Sequence, residues 1–433
     1  MRRSLSPETW KINETFVFNI QVSLLSFYAC KRILIDKILI LETVPSFLRP
    51  SVMNDSDADV KEIVLHDVES VLKQKFGDQI IVDNFTTVSL LPPGENYGST
   101  IYKVDVDYRK NNGAQKDVLN VIAKMLPPTE FQRRIFESSR TFCKEIFMYD
   151  TIMPAYNKLE FECGLKKDEL FNGLAGFYGS RLSMQPDVEI DDNAVILMDN
   201  LKVKGYYNGD RFEGMCTMFK MHAKCLESNE EVPELLQGIL KLIQADPEIS
   251  MYYDKCKKIF TEEGKANLWT DVHREPWTTI IHSDFWVNNI MFHKNQEGQI
   301  DDIKLVDFQI YVYSSPLRDL LFYLFTSVNI NVTDEELEGL MDLYYDTLIN
   351  VLNKMGCDTT KLTKEGFRTK MSEDAAREFS HICFLLKVIT MNVKDSDFDY
   401  SDVENLMLRN SGSSTYHIRL RKIVSYFVNH DWI

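Results

Sequence analysis

Metal-chelating and disulfide patterns are missing from this sequence. Its eight cysteines (Cys30, Cys143, Cys163, Cys216, Cys225, Cys256, Cys357 and Cys383) are scattered, with no C-x-x-C pair. Neither a disulfide framework nor a zinc site is signalled, and a reducing, cytoplasmic setting is the expectation. Basic charge is scarce: 49 Lys and Arg stand against 65 Asp and Glu, a formal net charge of −16. A field of that sign argues against bulk binding of nucleic acid or of an anionic membrane, while leaving room for a local phosphate pocket. No internal repeat and no low-complexity tract occurs. Long apolar runs are also missing. Phe16 to Cys30 carries Asn19 and Gln21 and stops at Lys31-Arg32, short of the ~20 residues a spanning helix needs. Ile33 to Leu41 is broken by Asp36 and Lys37. Met1-Arg2-Arg3 starts as a signal peptide would, but no small-residue cleavage site follows. Residues 1–52 therefore read as an N-terminal extension of unknown role, with targeting as the lesser alternative.

What is present suffices for a real core: 433 residues, 44% hydrophobic and 12% aromatic. At ~150 residues per domain this means two to three domains or one bilobal enzyme. Apolar residues from Asp57 to Phe76 fall on one helical face, ended by Gly77. Ile80 to Leu91 is β-rich. Tyr102, Val104, Val106 and Tyr108 alternate with charged residues, and Val118 to Met125 returns after Asn111-Asn112-Gly113, which predicts a hairpin. A long helical segment is expected from about Glu130 to Lys158, and a short strand from Ala194 to Met198. Beyond Asp199 the pattern is helical except for loops and strands around Thr278 to Phe308. Thr333 with Glu336 forms a capping box ahead of an apolar face from Leu337 to Leu352, with Gly356 at its end. The order is α+β: a small β-rich lobe over 53–200, then a mainly helical lobe over 201–433.

The chemistry concentrates in Ile281-His282-Ser283-Asp284-Phe285-Trp286-Val287-Asn288-Asn289 and, downstream, Leu305-Val306-Asp307-Phe308-Gln309. Taken singly, Asp284 reads as a loop cap and Asp307 as a turn residue. Together, at these spacings, they match what phosphoryl transfer from ATP requires. One carboxylate, Asp284, accepts or orients the proton of an attacking hydroxyl. An amide oxygen and a second carboxylate, Asn289 and Asp307, hold Mg²⁺ against the phosphates. His282 reads as a structural partner within the loop. No Walker A sequence occurs, which disfavours P-loop kinases.

His-x-Asp-x-Trp-x-x-Asn-x-Met-Phe, then Asp-Phe-Gln, then Pro316-Leu317-Arg318-Asp319-Leu320 resembles the ecdysteroid kinase-like (CHK kinase-like) family. That family lies within the aminoglycoside phosphotransferase and choline kinase superfamily of protein-kinase-like folds. The resemblance runs from about Asp59 to the C-terminus. It implies a bilobal fold with ATP and Mg²⁺ as cofactors and a small-molecule hydroxyl as acceptor. Val121-Ile122-Ala123-Lys124 then places Lys124 on the phosphates, and Glu145 resembles the family's partner for that lysine, with Glu137 as competitor. Gly94, Asn96, Gly98 and Ser99 look like the family's Gly-Glu-Asn-Tyr-x-Ser phosphate loop. Asp199 and Leu201 sit in a hinge-like segment, Asp199-Asn200-Leu201, where the family tends to show Glu-Asp-Leu. Ser283 departs from the family's usual Gly. His222 matches a His-Ala step of the family and reads equally well as a packed helix residue. Pro316 and Asp319 open a helix over Leu317 to Thr326 and read as scaffold.

The acceptor implied is a steroid-type (ecdysteroid-like) or xenobiotic hydroxyl. The alternatives are a choline or aminoglycoside acceptor, or a non-catalytic nucleotide- or ligand-binding module of the same fold. A protein kinase is disfavoured by His-Ser-Asp in place of His-Arg-Asp and by the lack of Ala-Pro-Glu after Asp307. Nothing in the sequence indicates oligomeric state.

Overall fold

The computed structural model describes residues 62–90, 98–208, 232, 234–263, 275–390 and 412–433. Residues 1–52, Gly94, Asn96, His222 and the start of the 57–76 segment lie outside the described residues. A single antiparallel sheet builds the first lobe. Its strands are β1 (Ile81–Ser89), β2 (Thr100–Arg109), β3 (Asp117–Met125), β4 (Phe177–Arg181) and β5 (Val195–Asp199), in the order β1-β2-β3-β5-β4. The alternation expected for β2 is there: Val104, Val106 and Tyr108 are buried and their neighbours are half-buried. They meet Val121, Ala123 and Met125 of β3 and Val195 and Leu197 of β5 in a small core. That register turns Ile122 and Lys124 to the opposite face of the sheet.

Helix α1 (Val68–Phe76) covers the core with Val68, Val71 and Leu72. It begins at Val68 and not near Asp57, because Asp67 turns the chain at φ +44° and its side chain accepts the N–H of Ser70. Upstream, Ile63 and Leu65 are buried and His66 and Glu62 exposed, so this stretch is extended. Its apolar spacing imitates a helical face.

The expected helix from Glu130 to Lys158 is likewise divided. It comprises α2 (Glu130–Ile135), α3 (Ser138–Phe147), a π-helical turn at Met148–Ile152 and α4 (Met153–Glu162). Phe136 closes α2 by donating its N–H to Gln132, and Glu137 at φ +41° redirects the chain. A left-handed residue cannot continue a right-handed helix.

The second lobe is mainly helical: α5 (Glu234–Ala245), α6 (Tyr253–Glu263), α7 (Pro316–Thr326), α8 (Asp334–Lys354), α9 (Lys364–Ile389) and α10 (Ser414–Asn429). Helix α9 packs against α5, α6, α7 and α10, with Phe379 lying between Phe260 and Phe427. Buried Arg318 of α7 pairs with buried Glu378 of α9, and His381 bonds the other carboxylate oxygen at 2.8 Å. Burial would raise the Glu378 carboxyl, but these cationic and hydrogen-bonding partners hold it at about 2. The capping box of α8 forms as expected: Thr333 Oγ1 accepts the N–H of Glu336 at 3.2 Å, and Glu336 accepts that of Thr333 at 2.8 Å.

Two small sheets are built from the segment between α6 and α7, one of them joined by a strand that precedes α5. Strand β6 (Tyr207–Asn208) pairs with β8 (Ile290–Lys294), which pairs with β9 (Ile300–Leu305), while β7 (Thr279–Ile281) pairs with β10 (Val312–Ser314). Leu305 donates its N–H to Gly173 at 2.6 Å, tying this region back to the segment that precedes β4. The result is the bilobal, protein-kinase-like α+β arrangement expected, with a small β-rich lobe and a larger helical one. Among the described residues no helix is long and apolar enough to cross a membrane.

Candidate active site

Strand β7 delivers the chain to His282, and the first turn of α7 receives it. The carboxylate of Asp319 accepts the backbone N–H of His282 at 2.6 Å and that of Ser283 at 2.9 Å. Both donors and the acceptor are buried. Asp319 thus clamps the loop from inside, a role its place in a helical first turn did not reveal. Burial pushes its carboxyl up to about 7 against the pull of these two N–H groups. Ser283 sits at φ +65°, where glycine is the usual occupant.

The imidazole of His282 ties the loop to β9. Its Nε2 lies 3.0 Å from the Val306 carbonyl, and its Nδ1 accepts the N–H of Asp284 at 3.3 Å. These partners require the tautomer with hydrogen on Nε2. Burial lowers the imidazole pKa, so the ring is neutral and structural. It also packs on Phe308 with ring centroids 4.5 Å apart.

Asp284 and Asn289 form one unit across a 3₁₀ turn at Val287–Asn289. The Asn289 side-chain amide donates to the Asp284 carbonyl at 2.8 Å and to its carboxylate Oδ2 at 2.9 Å. Val306 then donates its N–H to the Asn289 carbonyl at 3.0 Å. Val306 therefore bonds both ends of the loop, and the next residue is Asp307, held at φ +71°.

Lys124 reaches this point from β3. Its ammonium lies 2.6 Å from Glu145 Oε2 and 2.8 Å from Asp307 Oδ1. Glu145 comes from α3 and is almost fully buried, whereas Glu137 is exposed at the break before that helix. Burial would lower the Lys124 pKa, but the charges of Asp307 and Glu145 raise it. Burial would raise Asp307, yet Lys124 and a hydrogen bond from Gln309 hold it below the usual range. Glu145 is pushed up to about 7 by burial, with Asp307 adding and Lys124 opposing. Lys144, one residue before Glu145, donates to the Tyr311 carbonyl and stands over its ring at 4.6 Å. Helix α3 is thereby docked onto the segment that follows Asp307.

Of the expected phosphate loop, Gly98 and Ser99 are described, and both are buried. A Cβ on Gly98 would stand 3.4 Å from Gln309 Oε1, so the end of the loop abuts the Asp307-Phe308-Gln309 segment. In the hinge, the Asp199 carboxylate accepts from the N–H of Gly176 at 2.9 Å, the hydroxyl of Tyr178 at 2.9 Å and Lys204 at 2.6 Å. The Leu201 carbonyl accepts the N–H groups of Lys204 and Tyr206, both at 3.0 Å. Asp199 therefore engages the fold through its side chain.

The donor set fits a hard cation that draws most of its ligands from elsewhere. Among the described residues no cluster of three or more His, Cys, Asp or Glu could by itself hold a metal. With the Asn289 amide nitrogen engaged by Asp284 and Asp307 Oδ1 bonded to Lys124, the Asn289 oxygen and Asp307 Oδ2 are the atoms that would face a cation. One carboxylate and one amide oxygen, completed by phosphate oxygens and water, suit Mg²⁺.

Solved structures similar to this chain include a Plasmodium vivax ethanolamine kinase, at 11% identity over 83% of this chain and 87% of that one, TM-score 0.35. An amicoumacin kinase aligns at 13% identity over 82% and 94%, TM-score 0.37. A microcompartment-associated aminopropanol kinase aligns at 10% over 84% and 98%, TM-score 0.35. A search of curated protein sequences returns no match. The sequence model of the ecdysteroid kinase-like family matches residues 93–228 and 217–357. Those stretches take in Lys124, Glu145, Asp284, Asn289, Asp307 and Asp319, and the chain belongs to the ecdysteroid kinase-like family.

Proposed function

We propose that this protein transfers the γ-phosphate of ATP to a hydroxyl of a small molecule, of the ecdysteroid-like or xenobiotic type. The observation that carries this reading is Lys124 bridging Glu145 and Asp307 beside the locked Asp284–Asn289 unit. In this reading the acceptor hydroxyl gives its proton to Asp284 as its oxygen bonds the γ-phosphorus, and the bond to the bridging oxygen of ADP breaks. Lys124, held in place by Glu145, neutralises charge on the phosphates. Gly94, Asn96, Gly98 and Ser99 approach the phosphates, and hinge backbone around Asp199 and Leu201 receives the adenine. Asn289 and Asp307 hold Mg²⁺, which when bound neutralises charge on the β- and γ-phosphate oxygens. The acceptor class rests on the family, and the cytoplasm is the proposed setting.

The test is transfer of γ-phosphate from Mg-ATP to a panel of polyhydroxylated steroids, choline and aminoglycosides, read by product mass. Phosphorylated steroid supports the reading in full. Transfer to choline or an aminoglycoside alone keeps the reaction and moves the acceptor class. Mg-ATP binding with no transfer to any of them favours the binding module, and no Mg-ATP binding overturns both.

A further inference from the structure

Three alternate residues of the stretch that follows β9 each meet a different part of the first lobe. Asp307 takes the ammonium of Lys124, from β3, at 2.8 Å. Gln309 lies against the end of the phosphate loop, its Oε1 3.4 Å from where a Cβ on Gly98 would stand. Tyr311 accepts the ammonium of Lys144, from α3, on its backbone carbonyl, and the same ammonium stands 4.6 Å from the centre of its ring. The first two contacts involve groups already assigned to the phosphates and the cation. Lys144 has no part in the proposed transfer step.

Lys144 and Glu145 are successive residues of α3, about 100° apart around its axis, so one helix presents them in two directions. Glu145 reaches Lys124, and Lys144 reaches Tyr311. The backbone of α3 packs chiefly on α2 and the π-helical turn, its own neighbours in the chain. Its place against β3 and against the second lobe is therefore set by side chains. Phe142, Ile146 and Phe147 pack into the core, but apolar contact is non-directional. The two polar links fix how the helix is turned. The anchor for Lys144 is firm: Tyr311 is buried and runs into β10, whose Val312 pairs with Ile281 at the end of β7. The residue after Ile281 is His282, so this anchor adjoins the catalytic loop. A charged donor on a carbonyl is among the stronger hydrogen bonds, and the cation over the ring adds to it.

We propose that Lys144 is a positioning residue, whose grip on Tyr311 holds α3 against the second lobe and so keeps Glu145 on Lys124. Its effect on turnover rests on the phosphotransfer reading, whereas the docking of α3 does not. Lys144→Met keeps the aliphatic stem and removes the donor and the charge, and Lys144→Arg keeps both. Hydrogen exchange of the nucleotide-free full chain reads the docking. In Lys144→Met the α3 amides should exchange about tenfold faster, the loss of one charge-assisted hydrogen bond, with β2 and α9 unchanged. Lys144→Arg should restore wild-type exchange. In transfer assays Lys144→Met should lower kcat/KM for ATP about tenfold in the wild-type background and no further in the Glu145→Gln background. A residue that acts through Glu145 has nothing left to position once that carboxylate is gone, whereas a contact that only supports the fold costs the same in both backgrounds. Unchanged α3 exchange in Lys144→Met overturns the docking. The same tenfold loss in the Glu145→Gln background, or no rescue by Lys144→Arg, overturns action through Glu145. If the wild type transfers no phosphate, the phosphotransfer reading fails while the exchange comparison still decides whether Lys144 docks α3.

Discussion

Asp319 accepts the backbone N–H of Ser283 at 2.9 Å, and it does so with Ser283 at φ +65°. A residue with a Cβ costs roughly 1–2 kcal/mol in that conformation, and a charge-assisted hydrogen bond to a buried carboxylate is worth about the same. The two offset each other, which lets serine stand in a conformation that glycine usually takes. Ser283→Gly should leave stability unchanged or raise it by up to about 1 kcal/mol, with kcat intact. A chemical denaturation curve checks this, and a marked loss of stability would mean that the serine hydroxyl matters in itself.

Asp319 should be far less tolerant. Asn can accept one of the two N–H groups but turns an NH₂ toward the other, leaving a buried donor unmet at a cost of about 1–3 kcal/mol. Because the clamp acts on the loop and not on the nucleotide, Asp319→Asn should lower kcat while the Kd for Mg-ATP holds. Equal losses in both would place Asp319 in nucleotide binding.

Glu145 offers a cleaner probe of the lysine pair. Its carboxylate faces the buried Lys124 ammonium at 2.6 Å, so Glu145→Gln removes one of the two charges that hold that ammonium and should lower stability. Lys124 would then be held by Asp307 alone, and displacement of a phosphate-positioning group costs about 10²-fold in rate. The expected result is a lowered Tm with kcat/KM for ATP reduced by about two orders of magnitude in the folded protein. A normal kcat/KM would remove Lys124 positioning from the account.

His282 sets a pH dependence whose sign is fixed by burial. Its folded pKa lies below the ordinary 6.5, so as pH falls the unfolded chain takes up the proton first. The stability it contributes is complete above about pH 6.5 and is lost as pH drops below that value. His282→Gln keeps a donor for the Val306 carbonyl and cannot titrate. The difference in Tm between wild type and this variant should therefore shrink from pH 7.5 to pH 5.5. A constant difference would contradict a neutral buried imidazole.

Features set by local sequence were legible without coordinates. The alternation of Val104, Val106 and Tyr108 defines β2, and the Thr333–Glu336 box starts α8 where expected. The spacing from Asp284 to Asn289 and on to Asp307 was legible too, because one short turn and one hairpin suffice to bring these residues together. Non-local contacts were not. Asp319 lies 37 residues from His282, and its position at the start of a helix looks like an ordinary dipole effect. The break at Glu137 is a single left-handed residue inside a helix-favouring sequence. Ile63, Val64 and Val68 are spaced as a helix would space them, yet Ile63 and Leu65 are buried in alternation with exposed Val64.

The most direct test of phosphoryl transfer compares wild type with Asp284→Asn for both Mg-ATP binding and acceptor-dependent transfer. Loss of a proton-accepting carboxylate typically lowers turnover by 10²- to 10⁴-fold, roughly, while Lys124, Asn289 and Asp307 remain to bind the nucleotide. The account predicts an Mg-ATP Kd close to wild type with transfer reduced by that factor. Undiminished transfer by the variant would contradict it.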